Sequence, residues 1–139
     1  MTAKPTSRRD SQQLNWRQAV ANYQAPDNGR SYRQLLTSIV PYFVLMALMV
    51  LSLDVSYWIT LLLAIPAAGF LVRIFIILHD CGHGSLYKSR KVNDLVGVIT
   101  GVITWTPYYR WRHDHAIHHA TAADLDRRDV GDVWTMTVA

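Results

Sequence analysis

The sequence predicts an all-α integral membrane protein, in which a transmembrane helical hairpin is followed by interfacial or cytoplasmic helices that carry histidines. Two observations predict this fold class. Half of the 139 residues are hydrophobic, and they are gathered in long runs instead of being spread as in a globular core. All six histidines follow these runs, in two short clusters. The chain therefore combines a membrane hairpin with a local concentration of imidazole side chains.

Composition excludes several classes of site. The formal net charge is +4, but the basic residues flank the apolar runs instead of forming a separate stripe, so nucleic-acid binding is not expected. All ten acidic residues are Asp. Without Glu, the chain has neither the Glu-x-x-His motif of carboxylate di-iron bundles nor the His-Glu-x-x-His motif of zinc proteases. A single cysteine, Cys81, excludes a disulfide framework and a multi-cysteine zinc site within the chain.

Residues 1–34 form a polar and basic N-terminal segment. Within it, residues 14–23 have the pattern of a short amphipathic helix that lies on the membrane surface. The alternative is a partly ordered tail with a turn at residues 26–29, where Pro, Asp, Asn and Gly follow one another.

Two apolar runs have the length of membrane spans. As helices, residues 35–53 cover about 28 Å and residues 57–78 cover about 33 Å, close to the thickness of the hydrocarbon layer. The loop between them carries Asp54 and no Lys or Arg, whereas both outer flanks are basic. The positive-inside rule therefore predicts that the N-terminus and the histidine clusters lie on the cytoplasmic side.

A third apolar run, residues 92–106, is too short to span a membrane and is expected to form an interfacial or re-entrant helix. Asn93 or Asp94 is expected to cap its start. Gly97 and Gly101 are four residues apart, a spacing that lets another helix approach closely. We therefore expect this run to pack closely against a neighbouring helix.

The first histidine cluster, residues 79–83, begins where the second apolar run stops. The helix is therefore expected to continue into the cluster. His79 and His83 then share one helical face, where two imidazoles can ligate one metal ion. The alternative is an interfacial pair that hydrogen-bonds lipid headgroups or water.

The second cluster ends in a His-x-x-His-His motif at residues 115–119. At about 100° per residue, His118 lies about 60° to one side of His115, and His119 lies about 40° to the other side. His113 lies about 160° from His115, on nearly the opposite face. Helical geometry therefore selects His115, His118 and His119 as ligands and leaves His113 outside the set.

Together, the two clusters offer more imidazoles than one tetrahedral zinc ion needs. Imidazole suits iron, zinc and copper, so the sequence favours a dinuclear, nitrogen-rich site at the membrane surface. Carboxylates commonly orient metal-binding histidines. Four aspartates near the clusters are candidates for this role: Asp80, Asp114, Asp124 and Asp126.

The segment His-Asp-Cys-Gly-His-Gly-Ser at residues 79–85 resembles the first histidine box of membrane fatty acid desaturases. The segment Trp-Arg-His-Asp-His-Ala-Ile-His-His-Ala-Thr-Ala at residues 111–122 resembles the second. The resemblance covers residues 35–139, a partial desaturase domain, and is closest in style to bacterial acyl-lipid or omega-6 (delta-12) enzymes. It implies that the metal ligands, with no further catalytic residues, are His79, His83, His115, His118 and His119.

The resemblance also implies a reaction and its partners. Two iron ions would use O₂ to introduce a cis double bond into a fatty acyl lipid or acyl thioester, within a membrane lipid environment. Ferredoxin or cytochrome b5 would supply the electrons. Trp105, Tyr108 and Trp111 are candidates for lining the acyl path, although anchoring at the membrane interface is the use we favour for such aromatics.

The family pattern includes a third histidine box and a second transmembrane pair, which do not occur in this sequence. We therefore expect a fragment or a truncated form whose di-iron site is incomplete. One alternative is a related histidine-box hydroxylase or ketolase that acts on carotenoids or alkanes. The other alternative is a non-enzymatic, metal-binding membrane hairpin.

Overall fold

The computed structural model describes residues 19–21 and 25–122. Between residues 25 and 122 the chain forms four helices, and the described residues contain no strand. The helices are α1 (Asn28–Ser52), α2 (Tyr57–His83), α3 (Arg90–Ile103) and α4 (Tyr108–Thr121). α1 packs along α2 as a hairpin, and α3 and α4 pack against α2 and against each other. The predicted all-α fold is confirmed.

The two long helices, α1 and α2, are each long and apolar enough to cross a membrane. Only 11% of the most apolar stretch of α1, and 22% of that of α2, is buried inside the structure. Such exposure is not that of the core helices of a soluble bundle, and a lipid environment accommodates it. This surface supports the predicted membrane hairpin.

Helix α1 begins at Asn28, before the apolar run that starts at residue 35. The Asp27 carboxylate caps it by accepting hydrogen bonds from the backbone N–H groups two and three residues later, at 2.9 and 3.3 Å. The turn expected at residues 26–29 is therefore wrong, because this segment is a helix start. Of the amphipathic helix expected at residues 14–23, the structure describes only residues 19–21, which are helical; the other residues of this segment lie outside the described ones.

Helix α2 runs through the first histidine cluster and ends at His83, as the sequence predicts. Gly84 adopts a left-handed conformation with φ of 71°, which glycine accepts without the penalty of a Cβ. Its N–H donates to the carbonyl of Cys81 at 2.9 Å, and the N–H of Ser85 donates to the carbonyl of Asp80 at 3.1 Å. These two bonds form a Schellman motif, which ends the helix directly after the cluster.

Helix α3 spans Arg90–Ile103, whereas the sequence predicted residues 92–106. The predicted cap at Asn93 or Asp94 is wrong, because both residues lie inside the helix. Asn93 is buried, and its side-chain amide bonds the N–H and the C=O of Tyr87 at 3.0 and 2.7 Å. This pair of bonds holds the α2–α3 connection against α3, which explains a buried amide at this position.

Helix α4 approaches α3 at the two glycines. A Cβ on Gly97 would overlap the ring of Tyr108, and a Cβ on Gly101 would lie 2.6 Å from the carbonyl oxygen of Thr106. The predicted close approach of another helix at this glycine pair is confirmed. Tyr108 joins a buried cluster that unites α2, α3 and α4 and consists of Ile77, Leu78, Cys81, Leu86, Tyr87, Val96 and Tyr108.

Candidate metal centre

The last turns of α2 present two histidines on one face. The Nε2 atoms of His79 and His83 lie 3.3 Å apart, and the ring centroids lie 4.6 Å apart. The spacing of four residues accounts for this contact, as the sequence predicts. His79 is half-buried and His83 is exposed, so α2 offers two adjacent nitrogen donors at its accessible end.

Helix α4 presents a second pair beside the first. His115 Nε2 lies 3.0 Å from His119 Nε2 and 3.2 Å from His83 Nε2. The contact between His83 and His115 joins clusters that are 32 residues apart in the sequence. The two histidine clusters therefore meet at one place in the fold.

The four imidazoles lie close enough together to be candidate donors for one metal ion. One ligand nitrogen from each of His79, His83, His115 and His119 lies within 4.8 Å of all the others. Two nitrogens that are each about 2.1 Å from one ion are about 3.0 Å apart at a right angle and about 3.4 Å apart at a tetrahedral angle. The observed separations of 3.0 to 3.3 Å between successive Nε2 atoms match this range.

Hydrogen bonding among the rings accounts for these contacts less well. His83 Nε2 and His115 Nε2 each face two other ring nitrogens. A ring nitrogen carries either one proton or one lone pair, so it forms one conventional hydrogen bond. A shared cation would accommodate all four nitrogens at once, so this donor set is one that could hold a metal ion.

His118 lies beside this group. Its ring centroid is 6.1 Å from that of His115 and 5.9 Å from that of His119. His118 and His119 project to opposite sides of His115, and α2 lies on the side of His119, whose ring centroid is 5.0 Å from that of His83. His113 is exposed and outside the group, as the sequence predicts. The fold thus brings together four of the five expected ligands.

The expected carboxylate partners differ in position. Asp80 Oδ1 lies 3.2 Å from His79 Nδ1, which leaves the Nε2 of that ring for an ion. Asp114 instead accepts a hydrogen bond from Arg110 Nε at 2.8 Å, because the two side chains are one turn apart on the same helix. The structure therefore does not place Asp114 on a histidine. The other two candidates, Asp124 and Asp126, lie outside the described residues.

The electrostatic setting favours a neutral imidazole at the centre. Burial, followed by the neighbouring rings of His79 and His119, lowers the pKa of His115 to about 4. At neutral pH its imidazole is then uncharged, and only this form has a free lone pair for a metal. The site is accordingly better suited to a metal cation than to an additional proton.

Trp111 packs directly on the centre, a role that the sequence interpretation missed. Its ring stacks on His115 with centroids 4.5 Å apart and planes 17° apart, and it contacts His79 at 5.7 Å. Gly82 provides the space, since a Cβ there would lie 2.8 Å from Cζ3 of Trp111. The available signal was helical spacing, because Trp111 precedes His115 by four residues and so shares its face.

The other two aromatics near the second cluster have contrasting environments. Tyr108 is only 3% exposed and its hydroxyl lies 3.0 Å from the carbonyl oxygen of Cys81, so Tyr108 is a core residue and not an interfacial anchor. Trp105 is 93% exposed and has a positive φ of 56°. Both residues also line an open, largely apolar groove of about 630 Å³ beside α3. Because they line this groove, Trp105 and Tyr108 remain candidates for lining an acyl path.

Comparisons with known proteins identify the lineage. Residues 55–136 match the family model for fatty acid desaturases. A fatty acid desaturase of Bacillus subtilis (strain 168) is 51% identical over 119 residues, which are 86% of this chain and 34% of that protein. An sn-1 acyl-lipid omega-3 desaturase (ferredoxin) of Synechocystis is 40% identical over 53 residues, 38% of this chain and 15% of that protein. A delta-12 fatty acid desaturase of Vernicia fordii is 33% identical over 60 residues, 43% of this chain and 16% of that protein.

This chain therefore spans about a third of the length of the Bacillus relative and a smaller share of the other two. No solved structure matches it significantly. The comparisons favour neither the hydroxylase or ketolase alternative nor the non-enzymatic hairpin. Because more than half of the chain matches the family model, the chain belongs to the fatty acid desaturase family.

Proposed function

We propose that this chain supplies part of the metal centre of a membrane fatty acid desaturase, an oxidoreductase that uses O₂ to introduce a cis double bond into a fatty acyl chain. The observation that carries the proposal is the convergence of four imidazole nitrogens at the end of an apolar hairpin. The name of the Synechocystis relative supports an acyl-lipid substrate and ferredoxin as electron donor. An acyl thioester substrate and cytochrome b5 are the alternatives for these two roles.

Two iron ions are the proposed cofactor. Their ligands in this chain would be the four converging histidines together with His118, which lies next to them. When bound, the iron supplies the O₂-dependent oxidation that removes two hydrogens from neighbouring methylenes. Five imidazoles do not complete the coordination of two irons, so we expect the isolated chain to hold fewer than two irons tightly and to have no desaturase activity.

The chain's own residues prepare this centre for metal. His115 remains neutral at physiological pH, because burial and neighbouring rings disfavour its protonated form. Asp80 orients the ring of His79 by accepting a hydrogen bond from Nδ1, which directs Nε2 toward the site. Trp111 covers one face of His115 and excludes water from that side.

We place the histidine end of the hairpin on the cytoplasmic side of a multi-pass membrane protein. Three exposed basic residues, Lys88, Arg90 and Lys91, follow α2 at this end. The connection between α1 and α2 at the opposite end carries only Asp54 as a charged residue. The positive-inside rule favours this orientation, with residues 1–34 also in the cytoplasm.

A chimera tests the function directly. This chain would replace the matching 119 residues of the Bacillus subtilis desaturase, and the fatty acids of expressing cells would be profiled by mass spectrometry. We expect new cis double bonds from the chimera and none from its His115→Ala variant. His113→Ala is the matched control, since His113 is exposed and outside the converging group. Equal activity of the two variants, or hydroxylated products, would contradict the proposal.

Metal analysis of the purified chain provides a second test. We expect the full chain in detergent to bind one divalent ion, because four nitrogens are spaced for one ion. Two tightly bound irons per chain would contradict the proposed division of the ligands.

A further inference from the structure

Three donors from two helices converge on one carboxylate oxygen, and one of the donors, Arg112, also lines the pocket of the histidines. Asp94 Oδ1 lies 2.7 Å from Arg112 Nη1, 3.0 Å from the hydroxyl of Tyr108 and 3.4 Å from Arg90 Nε. Asp94 and Arg90 belong to α3, whereas Tyr108 and Arg112 are one turn apart on α4. The Asp94 side chain is 27% exposed, so these contacts are partly shielded from water.

The same contacts reach the first histidine box. The Tyr108 hydroxyl lies 3.0 Å from the carbonyl oxygen of Cys81 as well as 3.0 Å from Asp94. Cys81 is fully buried and lies midway between His79 and His83 on α2. The hydroxyl has one proton, which it shares between these two acceptors, so Asp94 lies one side chain away from the backbone that carries the first pair of histidines.

Arg112 and Tyr108 also share the face of α4 that carries the second pair. Arg112 precedes His115 by three residues, and Tyr108 precedes it by seven, both close to whole numbers of turns. A shift of one residue along a helix changes the height by about 1.5 Å and the direction by about 100°. Metal–ligand distances tolerate only about 0.2 Å. The contacts of Asp94 therefore fix the rotation and the height of α4, and metal binding is sensitive to both.

We propose that Asp94 is a positioning residue for the metal centre, and that it sets the rotation and height of α4 through Arg112 and Tyr108 so that His115 and His119 meet the histidines of α2. The inference rests on the proposed metal function. Asp94 acts through its two partners on α4 and is not itself a ligand. Removing it should misplace two ligand nitrogens without removing any.

The experiment titrates the full chain in detergent micelles with Co²⁺, whose visible absorption reports the number and geometry of nitrogen ligands. Asp94→Asn and Arg112→Gln are each expected to raise the Kd about 10–100-fold, the usual effect of losing a group that orients metal ligands. Arg110→Gln is the matched control, since Arg110 lies on the same helix but pairs with Asp114 of its own helix. Its Kd should stay within about twofold, because exposed pairs of this type contribute little.

The spectrum at saturating Co²⁺ separates positioning from general destabilisation. Excess metal restores a variant that is merely less stable, since binding favours the folded state by mass action. A helix that packs in a displaced position presents its nitrogens to the ion in a different arrangement, so the saturated spectra of Asp94→Asn and Arg112→Gln should differ from that of the unmodified chain. The double variant should be little worse than Asp94→Asn alone, because Arg112 acts through its contact with Asp94.

Each result has a definite meaning. If the unmodified chain does not bind Co²⁺, both the proposed metal function and this inference fail. If the unmodified chain binds Co²⁺ and both variants match it in Kd and saturated spectrum, only the inference fails. If Asp94→Asn loses helix content in circular dichroism, Arg112→Gln decides the question, because it leaves the carboxylate of α3 in place.

Discussion

Replacing Gly82 with alanine is expected to weaken metal binding while helix content is maintained. Gly82 lies between His79 and His83 on α2, at the point where Trp111 crosses the helix. A Cβ at this position would lie 2.8 Å from Cζ3 of Trp111. The tryptophan ring has little freedom to retreat, because it stacks on His115 at 4.5 Å and meets a further aromatic ring of α2 at 5.6 Å.

The expected loss of metal affinity follows from the 2.8 Å between the added Cβ and Cζ3 of Trp111. Ordinary carbon contacts are about 3.5–4.0 Å, so the ring must move by at least about 0.7 Å, more than the roughly 0.2 Å that a ligand position tolerates. Overpacking of this kind costs about 1–3 kcal/mol. Alanine recovers about 1 kcal/mol relative to glycine within a helix. If the whole net cost of up to about 2 kcal/mol opposes metal binding, the affinity falls by up to about 30-fold, which is the upper limit.

The assay is a Co²⁺ titration of the full chain in detergent, with circular dichroism on the same samples. Gly69→Ala is the control, since Gly69 lies on the same helix and a Cβ there would meet nothing within 4 Å. It should keep the affinity of the unmodified chain. If Gly82→Ala binds Co²⁺ as tightly as Gly69→Ala, the contact with Trp111 does not position His115 and the reasoning is refuted.

Three further outcomes are expected. The metal-free chain should lose stability as the pH falls from about 6.5 toward 4, because the pKa of His115 is lowered in the folded state and protons then favour the unfolded chain. Thermal unfolding at several pH values checks this, and the melting temperature of His115→Gln should depend less on pH than that of the unmodified chain. Tyr108→Phe should destabilise the fold by about 1–2 kcal/mol in denaturant titration, since its buried hydroxyl joins three helices, whereas Tyr109→Phe should have little effect because Tyr109 is exposed. Asp80→Ala should reduce Co²⁺ affinity about tenfold, and a similar loss in Asp114→Ala would contradict the assignment of Asp80 as the carboxylate that orients a ligand.

Local patterns were sufficient to predict the helical spans and the faces of the two histidine clusters. Hydropathy and a period of 3.6 residues are properties of neighbouring residues, so they can be read along the chain. The sequence prediction placed the starts of α1 and α3 too late, because it relied on hydropathy. Each depends on one side-chain hydrogen-bonding pattern, the cap by Asp27 and the buried amide of Asn93, which hydropathy does not reveal.

The sequence by itself determined the lineage, the apolar helical hairpin and the clustering of the imidazoles, because motif spacing and composition carry these properties. Only the tertiary structure decided that clusters 32 residues apart share one site, and that His119 rather than His118 turns toward α2. That outcome depends on how α4 crosses its neighbours. Tyr108 fits against Gly97 and Trp111 fits against Gly82, and complementarity between residues so far apart in the chain is invisible to the periodicity of a single helix.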